Sequence, residues 1–198
     1  MTYNTTGNIM YRCIHSGRSL HLRWYQGSSW VNIVSAADRI ALGLLIVYLG
    51  MAVGAGAYEA RAVYPGWQHD PRPDTLAQRL AASGQTRAAR RFWPYLSPPG
   101  LLIAFWNLVA AITLLQRSAD FRTVAWAAIA TAVVLKSVAT YAYFAPTMIL
   151  KFERAHRQHP DELATAVRRW VLLSPVRTWI ELIALPGALC VFAGMTTS

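Results

Sequence analysis

The stretch FWPYLSPPGLLIAFWNLVAAITLLQ, residues 92–116, runs for 25 positions without a charged side chain. A membrane-spanning helix needs about 20 mainly apolar residues, and a barrel strand only about 10 of alternating character. The stretch therefore reads as a helix in lipid, where a helix satisfies its own backbone hydrogen bonds. Working outward, the pattern recurs three times. Residues 40–57 carry no charge, residues 123–150 carry only Lys136, and residues 178–198 carry only Glu181. Spans are predicted near 39–62, 98–116, 121–146 and 175–196. The expected fold is an all-α integral membrane four-helix bundle over residues 36–198. A polar and aromatic N-terminal extension, residues 1–35, precedes it and reads as either disordered or interfacial.

The whole composition agrees. The 198 residues are 55% hydrophobic and 14% charged, against about 25% charged in ordinary soluble domains. The net charge of +10 suits an anionic partner, but no nucleic-acid-binding module is recognisable. Position explains the charge better. Eleven Lys and Arg fall in the first and third loops and six on the side of the termini. The positive-inside rule then puts both large loops in the cytoplasm and both termini outside, in a multi-pass protein of the cytoplasmic (inner) membrane. Each basic residue near an anionic bilayer surface contributes about 1 kcal/mol.

Helix boundaries carry their own signals. Ser35 with Asp38 forms a capping-box pattern before the first span, and Asp120 precedes the third. Ser97-Pro98 and Ser174-Pro175 read as N-caps followed by first-turn prolines. Short amphipathic helices are expected in both large loops: Asp74–Ala82 in the first, with a further turn at Thr86–Phe92, and Asp161–Trp170 in the third. The third span is expected to kink at Pro146 and continue to about Arg157.

Ionisable groups inside spans are costly and usually face the bundle interior. Here they are Glu59 and Arg61 at the end of the first span, Lys136 in the third, and Arg177 and Glu181 in the fourth. Arg177 and Glu181, four apart, share a helix face. Lys136, Thr140, Tyr143 and Thr147 form one stripe, and Asn107 adds an amide to the second span. These residues predict a polar, aromatic pocket opening toward the large loops. The competing reading is that they are structural ion pairs fixing helix register. Gly50 and Gly54 form a G-x-x-x-G, read as close packing within the bundle in preference to homodimerisation, although a homo-oligomer stays open.

Other chemistry is narrowed by what the sequence holds. Cys13 and Cys190 form no C-x-x-C, which excludes a thiol–disulfide quinone reductase. None of the five histidines lies within a span, which argues against a transmembrane haem. His69, His156 and His159 are minor metal-ligand candidates, and no metal site is assigned.

Three segments carry a resemblance: Tyr58-Glu59-Ala60-Arg61 before Val63-Tyr64-Pro65, Tyr143-Phe144-Ala145-Pro146-Thr147, and Trp170-Val171-Leu172-Leu173-Ser174-Pro175-Val176-Arg177-Thr178. With four spans, they are similar to the anthrone oxygenase-like family of small integral membrane proteins, mostly uncharacterised. The resemblance covers about residues 37–194. It implies oxidation of a hydrophobic aromatic substrate with O₂ as co-substrate and no evident cofactor, and it singles out Pro146, Trp170 and Arg177. Family members often carry Asn two residues after the proline; this chain has Met148.

On that reading, Glu59 or Glu181 removes a proton from a carbon acid and Arg177 or Lys136 stabilises the enolate oxygen. Tyr58, Tyr143 and Trp179 supply aromatic walls, with Asn107, Pro146 and Trp170 also lining the substrate site. The alternative is a non-enzymatic scaffold or transport accessory protein of the lipid bilayer with structural intramembrane ion pairs.

Overall fold

A computed structural model describes residues 34–68, 73–82, 85–152 and 154–196; the N-terminal extension and His69 lie outside the described residues. These residues are helical throughout apart from short connections, and no strand occurs among them. Helix α1 (Ala36–Tyr58) starts at the expected capping box: the Ser35 hydroxyl accepts from Asp38 N at 3.2 Å, and the Asp38 carboxylate accepts from Ser35 N at 2.9 Å. A π-helical turn (Glu59–Val63) then carries it into α2 (Tyr64–Gln68), and α3 (Pro73–Ala82) follows in the first large loop. Helix α4 (Gln85–Leu115) connects tightly to α5 (Phe121–Ala139), where Asp120 caps by accepting from Thr123 N at 2.7 Å. Beyond α5 lie a π turn (Thr140–Phe144), α6 (Ala145–Thr147) and a second π turn (Met148–Phe152). Helix α7 (Pro160–Thr196) is the last of the described elements.

Among the described residues, four helical segments are long and apolar enough to cross a membrane: Ala36–Trp67, Arg91–Leu115, Phe121–Phe152 and Pro160–Met195. The chain is an integral membrane four-helix bundle. Helix α1 packs on α4 and α7, and α5 packs on the same two, so neighbours in sequence are neighbours in space. The buried positions of α7 explain this packing. Leu163, Val167, Trp170, Ser174, Arg177, Glu181, Ala184, Ala188, Val191 and Met195 are all buried, at alternating spacings of four and three. That is the heptad stripe of helices crossing at about 20°. Outside, Ile40, Val47, Leu102, Phe105, Leu135 and Ile183 are exposed, an apolar girdle suited to lipid.

Two boundary expectations are corrected. Helix α4 already begins at Gln85 and runs through Pro98 and Pro99, so Ser97 is no N-cap and Thr86–Phe92 is no separate turn. Helix α7 likewise absorbs the short helix expected at Asp161–Trp170 and passes through Pro175 and Pro186. Ser174 sits buried on its inner stripe. Each proline removes one backbone bond, but its ring faces outward and the stripe on either side stays packed.

Span length divides the molecule in two. At 1.5 Å per residue, spans of 32 and 36 residues reach about 48–54 Å, well beyond the about 30 Å hydrocarbon layer. The excess is on the loop side, where Arg154, Arg157, Arg168 and Arg169 are exposed. The half near the termini has an aliphatic core including Leu42, Leu45, Leu49, Val133 and Met195. The loop-side half has its own core, in which α3 supplies Leu76 and Leu80 to Tyr64, Trp67, Phe144, Phe152, Leu163 and Trp170.

The glycine expectation is also corrected. Gly50 and Gly54 face outward, and a Cβ on either would meet nothing. Close approach occurs instead at Gly56, where a Cβ would strike Thr178 of α7, and at Gly100, where it would strike the Tyr48 ring.

Candidate functional site: an aromatic cavity beside two buried ion pairs

Glu59 opens the first π turn. The Tyr64 backbone N–H donates to the Glu59 carbonyl, an i to i+5 bond. In an α-helix, residue i+5 would sit about 140° around the axis; the wider turn lets the Tyr64 hydroxyl donate to Glu59 Oε2 at 2.8 Å. Arg177 Nη2 donates to the same oxygen at 3.1 Å, and Trp93 Nε1 donates to Oε1 at 2.9 Å. One carboxylate thus ties the first span to α4 and α7. The Arg177 guanidinium carbon lies 4.7 Å from the Trp93 ring centroid and 4.9 Å from that of Phe144. A planar cation is suited to such stacking.

A second pair lies one turn along α7. Lys136 Nζ is 2.8 Å from Glu181 Oε1 and donates to the Tyr48 hydroxyl at 2.8 Å. Both charged side chains are almost wholly buried, at 5% and 2% exposure. A void of about 10 Å³, bordered by Tyr48, Trp93, Lys136, Arg177 and Glu181, separates the pairs; it has room for about one water. Arg177 and Glu181 therefore share a face as expected, but each pairs with a residue of another span. Asn107 serves the opposite half. Its amide donates to the carbonyls of Ala41 and Ile103, both at 2.8 Å, and accepts from Trp126 Nε1 at 3.0 Å. This clasps α1, α4 and α5 and leaves the amide 0% exposed.

The larger opening lies beside Glu59. A cavity of about 490 Å³ between the first span and α4 is lined by Met51, Gly54, Ala55, Tyr58, Glu59, Val63, Trp67, Phe92, Trp93, Met148 and Trp170. Its size falls within the range of small-molecule pockets. Its rim, Met51, Tyr58 and Phe92, is exposed on the outer surface of the bundle, so it faces the bilayer sideways.

The expected site residues separate accordingly. Glu59, Tyr58 and Trp170 line this cavity. Trp170 is buried against Phe144 and Phe152, and its Nε1 has no hydrogen-bond partner among the described residues. Arg177 stands behind Glu59, while Lys136 and Glu181 border only the small void. Tyr143 lines a different, polar groove, Pro146 is half-buried in α6, and Trp179 is 61% exposed on the outer face of α7. The structure does not bring these three to the cavity, nor Asn107. His156 and His159 are exposed, and no group of three metal-ligating side chains occurs among the described residues.

Tyr48, Tyr64 and Trp93 were not among the sequence-derived candidates. Nothing in the sequence announces the π turn that brings Tyr64 to Glu59. The signal for Tyr48 was Gly100, a small residue facing it from α4. Comparison with protein-family models, with curated proteins and with solved structures finds no match.

Proposed function

We propose that this membrane protein takes a hydrophobic aromatic molecule from the bilayer into the cavity beside Glu59 and oxidises it with O₂, as the resemblance to anthrone oxygenase-like proteins implies. The observation that carries the binding step is the cavity itself: about 490 Å³, five aromatic walls and one carboxylate, with a lipid-facing rim. Among the two candidate bases, Glu59 has access to a ligand and Glu181 does not.

The reaction balances without a further reductant. Glu59 accepts a proton from an acidic methylene flanked by aromatic rings. The carbanion passes its electrons to O₂ and a C–O bond forms. Protonation gives a hydroperoxide, and loss of water leaves a ketone, so one oxygen atom enters the product and the other leaves as water. Arg177 is a positioning residue here, since it holds the carboxylate from behind. The excess of basic residues in the large loops supports a topology with those loops in the cytoplasm.

The test is O₂ uptake by the purified protein with an anthrone, read against anthraquinone formed. Gly54→Leu fills the cavity from a position where a Cβ meets nothing, and abolishes turnover. Gly50→Leu, one turn away on the same outer face, leaves it intact. Equal turnover in the two variants rejects the site.

A second reading, a non-enzymatic scaffold or transport accessory protein, draws on one observation. Lys136 and Glu181 are both buried and pair with each other across two spans. It expects no O₂ uptake with any aromatic carbon acid, and no displacement of an apolar fluorescent probe from the cavity by anthrone.

A further inference from the structure

A second cavity, of about 300 Å³, opens at the loop-side face between the end of the third span and the first turns of α7. Its polar side chains are ordered by depth. On α7, Asp161 and Glu162 stand in the first turn and Arg169 about two turns further in. On the third span, Lys151 is outermost, with Thr147 and Tyr143 one and two turns below. If about 20 residues ending near Thr196 fill the hydrocarbon layer, its edge falls near Val176, and Arg169 stands about 10 Å above it. That is the height of lipid headgroups, not of acyl chains.

The charges in this groove do not close on one another. Arg169, Lys151 and Glu162 form no ion pair or hydrogen bond among the described residues, and Asp161 reaches only His159, at 3.8 Å and strongly exposed. Acidic residues in a first helical turn suit the macrodipole. The macrodipole does not account for Arg169 in the helix interior, or for Lys151 across the groove. Two cations and two carboxylates facing one space without closing on one another leave room for a ligand that itself carries both charges.

We propose that this groove binds the headgroup of a zwitterionic phospholipid bearing a phosphate and a primary ammonium. The phosphate sits at the inner tier, held by the Arg169 guanidinium and the Tyr143 and Thr147 hydroxyls. Lys151 faces its outer side. The ammonium donates to Asp161 and Glu162 at the rim. The acyl chains descend along Leu172 and Val176, which lie below Arg169 on α7 and are 72% and 56% exposed. An anionic headgroup without an amine meets two carboxylates of its own sign. A trimethylammonium headgroup has no N–H to offer them.

The inference does not rest on the cavity beside Glu59, and its test is separate. The full chain, purified in detergent, is titrated with phosphatidylethanolamine, phosphatidylcholine or phosphatidylglycerol of matched acyl chains, and retained lipid is counted by native mass spectrometry. Phosphatidylethanolamine is expected to be retained about tenfold over the other two, the effect of one charge-assisted hydrogen bond. Arg169→Ala removes that retention. Asp161→Asn with Glu162→Gln removes the preference over phosphatidylglycerol. These side chains are exposed, so the lipid-free melting temperature stays unchanged in Arg169→Ala and falls only slightly in the double variant, which loses two charges that favour the helix N-terminus. Equal retention of the three lipids, a preference for phosphatidylglycerol, or a ranking unmoved by either variant overturns the proposal.

Discussion

The two halves of the bundle handle polar groups in opposite ways. Toward the termini, one amide, Asn107, saturates itself on two carbonyls and an indole, and aliphatic side chains close around it. Toward the large loops, among the described residues, two interhelical ion pairs, two π turns of the third span and one of the first, and three cavities occupy a comparable length of helix. The same α7 stripe runs through both, so helix packing is not what differs. The difference lies in what fills the stripe: Ala, Val and Met at one end, Trp, Ser, Arg and Glu at the other. Wide turns accompany the polar end because they re-aim side chains that an α-helix would point elsewhere. A shut half thus supports a half with room in it.

Substitutions can break this contrast. The largest loss is expected for Lys136→Leu, which strands Glu181 without its counter-charge in the bundle interior and lowers stability by about 3–5 kcal/mol; Lys136→Leu with Glu181→Leu recovers most of it, measured by the thermal midpoint in detergent. Arg177→Met costs about 1.5–3 kcal/mol, less because Tyr64 and Trp93 still donate to Glu59. Its rescue comes from Glu59→Gln and not from a change at Glu181, which a double-mutant cycle distinguishes. Asn107→Leu strands the Trp126 indole N–H and costs about 1–3 kcal/mol, yet leaves binding of an apolar probe in the cavity unchanged. Gly100→Ala pushes against the Tyr48 ring, costs about 1–3 kcal/mol, and weakens the hydrogen bond to Lys136. Gly54→Leu has the smallest effect on stability, within about 0.5 kcal/mol, and the largest on probe binding. If Asn107→Leu emptied the cavity, or Gly54→Leu unfolded the bundle, the division into two halves would be wrong.

The span count and the capping signals were legible because charge-free length and local hydrogen bonds are properties of short stretches. Ser35 and Asp120 act where they were expected to. Ser97 and Ser174 do not, because a Ser-Pro pair has the same local look at a helix start and in a helix whose packing carries it through the proline. The charged residues of the site were legible, since any charge in a span stands out. Their pairing was not: Arg177 and Glu181 look like partners along the chain, while the actual partners come from distant spans. The aromatic walls were read from neighbourhood for Tyr58, Tyr143 and Trp179 and from the resemblance for Trp170; of these, Tyr58 and Trp170 line the cavity beside Glu59, and Tyr143 and Trp179 lie elsewhere. A rotation of part of a turn separates an inward ring from a lipid-facing one, and π turns shift that rotation without leaving a mark on the sequence.

The Glu59–Arg177 pair also sets a timetable for biosynthesis. The two residues are 118 positions apart. At a synthesis rate of about 5–20 residues per second, Glu59 emerges about 6–24 s before its cation exists. Tyr64 is made almost at once and Trp93 a few seconds later, so the carboxylate gathers neutral donors first and its counter-charge last. A nascent chain halted before the fourth span carries an uncompensated carboxylate at the bilayer edge and Lys136 without Glu181. The fourth span is therefore the element that completes both ion pairs, and the first and third spans wait for it with their charges unmatched.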